Sequence, residues 1–188
     1  MKLYLLRHEI RDLRNPTFYS PLLREGLKNA ENLKNILNSI EFDMIYSSPF
    51  KRVLQTIKPY CNLDKKKVNI EYSLYEQIYD HENSTIKFDK NDFRKDLLPS
   101  DKEYYLKNKN YASYLPLSKI EYTRHTEKRS NDFLNYIIQK YKHTDKTILI
   151  ASHGGIISQM LGIEDRYPMG GLCMCYDGDK KIYKPINF

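Results

Sequence analysis

The run TILIA at 147–151 sets four apolar residues in a row, Ile148 to Ala151, behind a single threonine. It is far too short for a membrane helix, which needs about 20 apolar residues. It reads instead as a fully buried strand. The segment 2–6, KLYLL, reads the same way, and 44–46 and 68–72 supply two further short strands. Between them the period changes. Leu27, Ala30, Leu33, Ile36, Leu37 and Ile40 recur at helical spacing and predict a helix over 24–40. Ser48-Pro49 predicts the start of a second helix, with serine as cap and proline at the first helical position. A third is expected over 121–142, with Phe133, Ile137 and Ile138 inward. A short helix should follow Ser152-His153-Gly154-Gly155, and 172–186 reads as a hairpin turned by Asp177-Gly178. Strands that alternate with helices make an α/β fold with a mostly parallel central sheet.

The 188 residues suit one domain spanning 1–188. Over 79–119 the periodicity fails, and charges of both signs alternate with tyrosine and asparagine. This stretch is expected to be an insertion with little regular structure, lying over a site or beside it. The net charge of +7 fits either a nucleic-acid surface or a protein that handles small anions. The lysines are scattered among acids and form no basic tail, so no nucleic-acid partner is expected. No membrane partner is expected either. The N-terminus begins like a signal peptide, but Arg7 interrupts its apolar run, and the expected location is the cytoplasm. Cys61 stands alone, and Cys173 and Cys175 would share one face of a strand, which predicts buried reduced thiols. His81, His125 and His143 lack metal-binding spacing. Nothing in the sequence speaks to oligomeric state.

Two of the apolar strands end in histidine, YLLRH at His8 and ILIASH at His153. In a parallel sheet both would emerge at the carboxyl edge, where open α/β sheets bind ligands. Arg7 stands beside the first histidine, and Arg52 falls in the first turn of the Pro49 helix. Gly154 and Gly155 open a helix whose free N–H groups favour an anion. Guanidinium groups grip phosphate bidentately. The constellation therefore calls for a phosphoryl group.

These residues carry a resemblance. LRH, SSPFKRVLQT and ASHGG, in this order and at these separations, resemble the histidine phosphatase superfamily, whose fold is phosphoglycerate-mutase-like. SPLLREGLKNA at 20–30 and SLYE at 73–76 resemble two further family patterns. The resemblance implies a three-layer sandwich with helices on both sides of the sheet. It implies the activity of a histidine acid phosphatase-type phosphatase on a small-molecule or protein phosphomonoester. His8 would be the nucleophile. Arg7, Arg52, His153 and Gly154 would hold phosphoryl oxygens. Glu76 would protonate the leaving oxygen and then activate water, with Asp80 and Glu82 as nearby competitors. Arg11, three residues beyond His8, is either a further phosphate ligand, as in the tyrosine-phosphatase-like branch, or a surface arginine. No metal or cofactor is expected, since arginines supply the positive charge. The alternatives are a cofactor-dependent mutase of the same fold and a silent phosphate-binding scaffold. The sequence lacks the mutase E-R-x-Y-G stretch after Glu76 and is short for a mutase, which favours a hydrolase.

Glu9 departs from the family, which has glycine after the histidine. A carboxylate about 5 Å from a phosphate dianion would cost about 3 kcal/mol per charge pair at an effective dielectric near 20. Its side chain is therefore expected to point away, paired with Arg11, Arg14 or Arg24, with its N–H left to face the phosphate. The competing expectation is that Glu9 points inward as the proton donor.

Overall fold

The computed structural model describes residues 1–14, 20–76, 104–116 and 126–186. Among these residues six strands, β1 (Lys2–Arg7), β2 (Met44–Ser47), β3 (Asn69–Ile70), β4 (Thr147–Ser152), β5 (Leu172–Asp177) and β6 (Lys180–Ile186), form one sheet in the order β3-β2-β4-β1-β5-β6. The pairs β3–β2, β2–β4 and β4–β1 are parallel, and the β5–β6 hairpin adds antiparallel to β1. The sheet is thus mixed, with a parallel part that carries the histidines.

Among the described residues four α-helices flank it: α1 (Arg24–Ile40), α2 (Lys51–Leu63), α3 (Thr126–Tyr141) and α4 (Gly154–Leu161). Strand alternation decides which face each side chain meets. Tyr4, Leu6, Ile45 and Leu149 pack with Leu33 and Leu37 of α1 and Val53 and Ile57 of α2. Leu3, Leu5, Ile148 and Ile150 pack with Phe133 and Ile137 of α3 and Ile156 of α4. Both faces of the central strands are covered, which is why ILIA at 148–151 and LYLL at 3–6 carry no charged residue. Ile138 is only partly buried at the margin. Cys173 and Cys175 share the α3–α4 face, and all three cysteines are buried free thiols. Among the described residues no helix is long and apolar enough to cross a membrane.

Several expected boundaries move. The second helix starts at Lys51, after an extended Phe50, not at Pro49. Ser48 is not its cap: the N-cap is Phe50, and the Ser48 hydroxyl lies 2.8 Å from His153 Nε2 and accepts only a long 3.4 Å bond from the Phe50 N–H. The third strand covers two residues, not 68–72. Val68 bridges to Lys107, and the Glu71 carboxylate accepts the Ser73 N–H at 2.9 Å, turning the chain into a 3₁₀ helix at Tyr72–Leu74. The hairpin pairs Asp177 with Lys180, so its central residues are Gly178 and Asp179. The third helix is described from Thr126, and 121–125 lie outside the described residues.

Of the stretch 79–119, residues 79–103 and 117–119 lie outside the described residues, and with them Asp80 and Glu82. The described part, 104–116, is more ordered than expected. It contains a 3₁₀ helix, Tyr104–Leu106, and folds around Glu71. Glu71 accepts hydrogen bonds from the Tyr111 hydroxyl (2.7 Å), the Ser113 hydroxyl (2.8 Å) and the Tyr114 N–H (2.8 Å).

Candidate active site

The parallel register builds the site. β1 and β4 align Leu6 with Ala151 and Arg7 with Ser152, and the His8 N–H donates to the Ser152 carbonyl at 3.1 Å. The next residues out, His8 and His153, therefore emerge side by side, with ring centroids 5.3 Å apart. On the other side of β4 the Ser48 N–H bonds the Ala151 carbonyl, and this brings Ser48 to His153. Two chain segments remote in sequence are thus joined by sheet pairing alone.

His8 is 1% exposed. Its Nδ1 lies 2.7 Å from the carbonyl oxygen of Glu9, so Nδ1–H donates there and Nε2 is left to carry a lone pair. Nε2 is buried and has no hydrogen-bond partner among the described residues. Burial, aided by the charges of Arg52 and His153, holds the His8 pKa well below the ordinary histidine range. The ring is neutral at physiological pH, the form a nucleophile requires.

Around it stand the cations. Arg7 donates to the Tyr167 carbonyl. Arg52 lies in the first turn of α2, fully buried, its guanidinium 4.6 Å from the Phe50 ring. Burial, with repulsion from neighbouring arginines, lowers both Arg7 and Arg52 to about 10, so both remain charged. Arg11 is not a surface arginine. It is buried, and its guanidinium feels Glu76 and Arg166 directly. Gly154 opens α4 against these groups. A Cβ there would sit 2.9 Å from the Arg7 Cζ, so only glycine lets the helix N-terminus approach so closely.

Glu76 faces this cluster from the segment after the Tyr72–Leu74 turn. Its Oε2 lies 3.3 Å from His153 Nδ1, 3.5 Å from Arg52 Nη2 and 3.6 Å from Arg166 Nη2. Burial pushes its pKa up, but His153 and Arg52 outweigh that and hold it well below the usual carboxylate range. Burial lowers His153 to about 4 against the opposing pull of Glu76. The backbone that carries Glu76 is held from behind by Arg129, which donates to the carbonyls of Ser73, Tyr75 (2.8 Å) and Glu76 (3.4 Å).

Of the residues singled out in the sequence, Arg7, His8, Arg11, Arg52, Glu76, His153 and Gly154 converge on this one pocket, Glu9 turns away from it, and Asp80 and Glu82 lie outside the described residues. Arg166, Arg129 and Ser48 were missed in those roles. Arg166 comes from the connection after α4 and Arg129 from α3, neither beside a motif. Ser48 lies inside the SSPFKRVLQT motif, where the local signal points to a helix cap and not to His153. His8, Glu76 and His153 bring potential ligand atoms within 4.8 Å of one another, close enough to meet on a metal ion. The guanidiniums beside them oppose a cation, and His8 Nδ1 is already committed to a carbonyl. The charge distribution fits an anion.

Glu9 points out of the pocket, but its expected partner is wrong. Its carboxylate accepts from Asn29 Nδ2 at 3.2 Å, while Arg14 pairs with Asp12 instead. Its N–H does not face the pocket either. It donates to Thr56 Oγ1 at 3.0 Å, and the Thr56 hydroxyl donates to the Arg52 carbonyl at 2.9 Å. The Glu9 backbone therefore ties the nucleophile to the helix that carries Arg52.

Known proteins share this fold. The family model of the histidine phosphatase superfamily (branch 1) matches residues 3–169. The ecdysone phosphate phosphatase of Bombix mori, solved with tungstate, has a TM-score of 0.73 at 15% identity, covering 99% of this chain and 92% of its own. The alpha-ribazole phosphatase of Shigella flexneri has a TM-score of 0.66 at 20% identity, covering 99% and 95%. A phosphoserine phosphatase mutant of Entamoeba histolytica, in complex with phosphoserine, has a TM-score of 0.59 at 20% identity, covering 98% and 93%. At such identities the likeness is one of fold. No curated protein sequence matches the chain.

Proposed function

The chain belongs to the histidine phosphatase superfamily, and on that premise we propose that it is a metal-independent phosphomonoester hydrolase working through a phosphohistidine on His8. One observation carries the proposal: a neutral imidazole whose Nδ1 is fixed to a carbonyl at 2.7 Å presents an uncommitted Nε2 among buried guanidiniums. Nε2 attacks phosphorus as the bond to the leaving oxygen breaks. Arg7, Arg11, Arg52, His153 and the Gly154 N–H hold the three equatorial oxygens, where charge accumulates. Glu76 donates a proton to the departing oxygen. Although ionised in the free site, it binds that proton more readily beside a phosphate dianion, because like charges disfavour two neighbouring anions. The resulting carboxylate then takes a proton from water, whose oxygen attacks phosphorus and restores neutral His8.

Hydrolysis is preferred to mutase chemistry on the absence of the mutase stretch after Glu76. The substrate is a phosphomonoester of a small molecule or a protein, and the whole chain is read as one domain in which 79–119 shapes the approach to the pocket. The decisive experiment uses His8→Ala and an aryl phosphate. Turnover should fall to background, and the acid-labile phosphoenzyme formed by the parent should be missing. Undiminished turnover, or phosphate trapped on a serine, overturns the assignment. Arg52→Ala should lower kcat by about 10² to 10³, the cost of one lost oxyanion donor.

A further inference from the structure

The mechanism uses the Glu9 backbone and leaves its carboxylate over. That carboxylate is 4% exposed and accepts one hydrogen bond, from Asn29. Among the described residues it has no cationic partner. A carboxylate so placed carries a desolvation cost that a neutral amide only partly offsets. It forms part of the wall of a cavity of about 620 Å³ between α1 and the β5–β6 hairpin. The volume lies within the ~300–1,000 Å³ of small-molecule sites. Neither His8 nor Arg52 nor Glu76 lines this cavity, so it is separate from the phosphate pocket.

The chemistry of the lining is specific. Ile36 of α1 and Leu172 of β5 make apolar walls. Met169 and Tyr183, 41% and 53% exposed, stand at the rim, two large apolar side chains left in water at the same opening. Gly170 closes over the carboxylate. Its φ is +67°, and a Cβ there would fall 2.1 Å from Glu9 Oε1. An anion would be repelled by Glu9, and one carboxylate with one amide is too poor a ligand set for a metal ion among apolar walls. We propose that this cavity binds an organic ammonium ligand, its charged nitrogen on Glu9 and its apolar body between Ile36, Leu172, Met169 and Tyr183.

Calorimetric titration of the full chain with phenethylammonium tests this without reference to phosphatase activity. Saturable one-to-one binding is expected, with a dissociation constant on the order of 1 mM or tighter for a probe of that size. The neutral counterpart 2-phenylethanol should bind at least tenfold more weakly, and excess orthophosphate should not compete. Glu9→Gln should weaken binding at least tenfold. Asn32→Phe, at an exposed α1 position lining the same cavity, should fill it and abolish binding without disturbing the core. Circular dichroism establishes that each variant is folded, and Asn32→Phe carries the test if Glu9→Gln is not. No saturable binding to the parent chain, equal binding of the alcohol, competition by orthophosphate, or undiminished binding to a folded variant overturns the proposal.

Discussion

Arg129 never enters the phosphate pocket, yet three backbone carbonyls around the proposed acid depend on it. It is buried, and its guanidinium also lies 3.5 Å from the Tyr75 ring centroid. Arg129→Met keeps the length and removes the donors, leaving buried acceptors unpaired. At about 1–3 kcal/mol for each such group, unfolding free energy should drop by about 3 kcal/mol or more, read from the urea midpoint. An unchanged midpoint would mean that water reaches those carbonyls. Glu76 itself is tested by leaving group. Glu76→Gln should cut turnover of an alkyl phosphate by about 10² to 10⁴, the usual worth of general acid catalysis, while largely sparing phosphorylation of the enzyme by an activated aryl phosphate. Equal losses on both substrates would remove Glu76 from the acid role.

Between residue and fold, the Tyr72–Leu74 turn is the element on which the acid depends. Glu71 gathers hydrogen bonds from Ser73, Tyr111, Ser113 and Tyr114, joining the described part of the insertion to the turn that precedes Glu76. Glu71→Gln replaces one acceptor oxygen with a donor that faces other donors. A loss of about 3 kcal/mol is expected on breaking such a charge-assisted cluster, together with a fall in kcat as Glu76 loses its position. At the other side of the pocket, Gly154→Ala should act on function more than on stability. Alanine suits a helix better than glycine, but its Cβ displaces the Arg7 guanidinium. KM for an aryl phosphate should rise about tenfold, equivalent to about 1.4 kcal/mol, with little change in the thermal midpoint.

For the whole molecule, burying two histidines in their neutral forms makes stability depend on pH. An unfolded histidine takes up a proton below about 6.5, whereas His153 does so in the folded chain only near 4 and His8 lower still. Between those limits the unfolded state binds more protons, so stability is full above pH 6.5 and declines as the pH falls toward 4. For His153 alone the interval corresponds to about 3 kcal/mol. Glu76, depressed below its ordinary 4.5, adds a further loss at more acid pH. Urea midpoints measured from pH 7.5 to 4.5 should show this slope, and His153→Gln should flatten it by about one proton. A pH-independent midpoint in that range would contradict the buried neutral histidines.

The sequence by itself pointed to where the sheet strands lie, to the extent of the first helix and to six of the pocket residues, Arg7, His8, Arg52, Glu76, His153 and Gly154. Unbroken apolar runs admit only a strand covered on both faces, and a histidine closing such a run can only lie at the sheet edge. The start of α2 was misread because serine and proline are local signals, and a contact with His153, distant in sequence, took the serine away. The brevity of β3, the order within 104–116 and the recruitment of Arg11, Arg129 and Arg166 were likewise decided by tertiary structure. So was the direction in which Glu9 faces its neighbours. Arginine and glutamate reach their partners across strand register and helix packing, and no spacing along the chain encodes which buried carbonyl or amide will meet them.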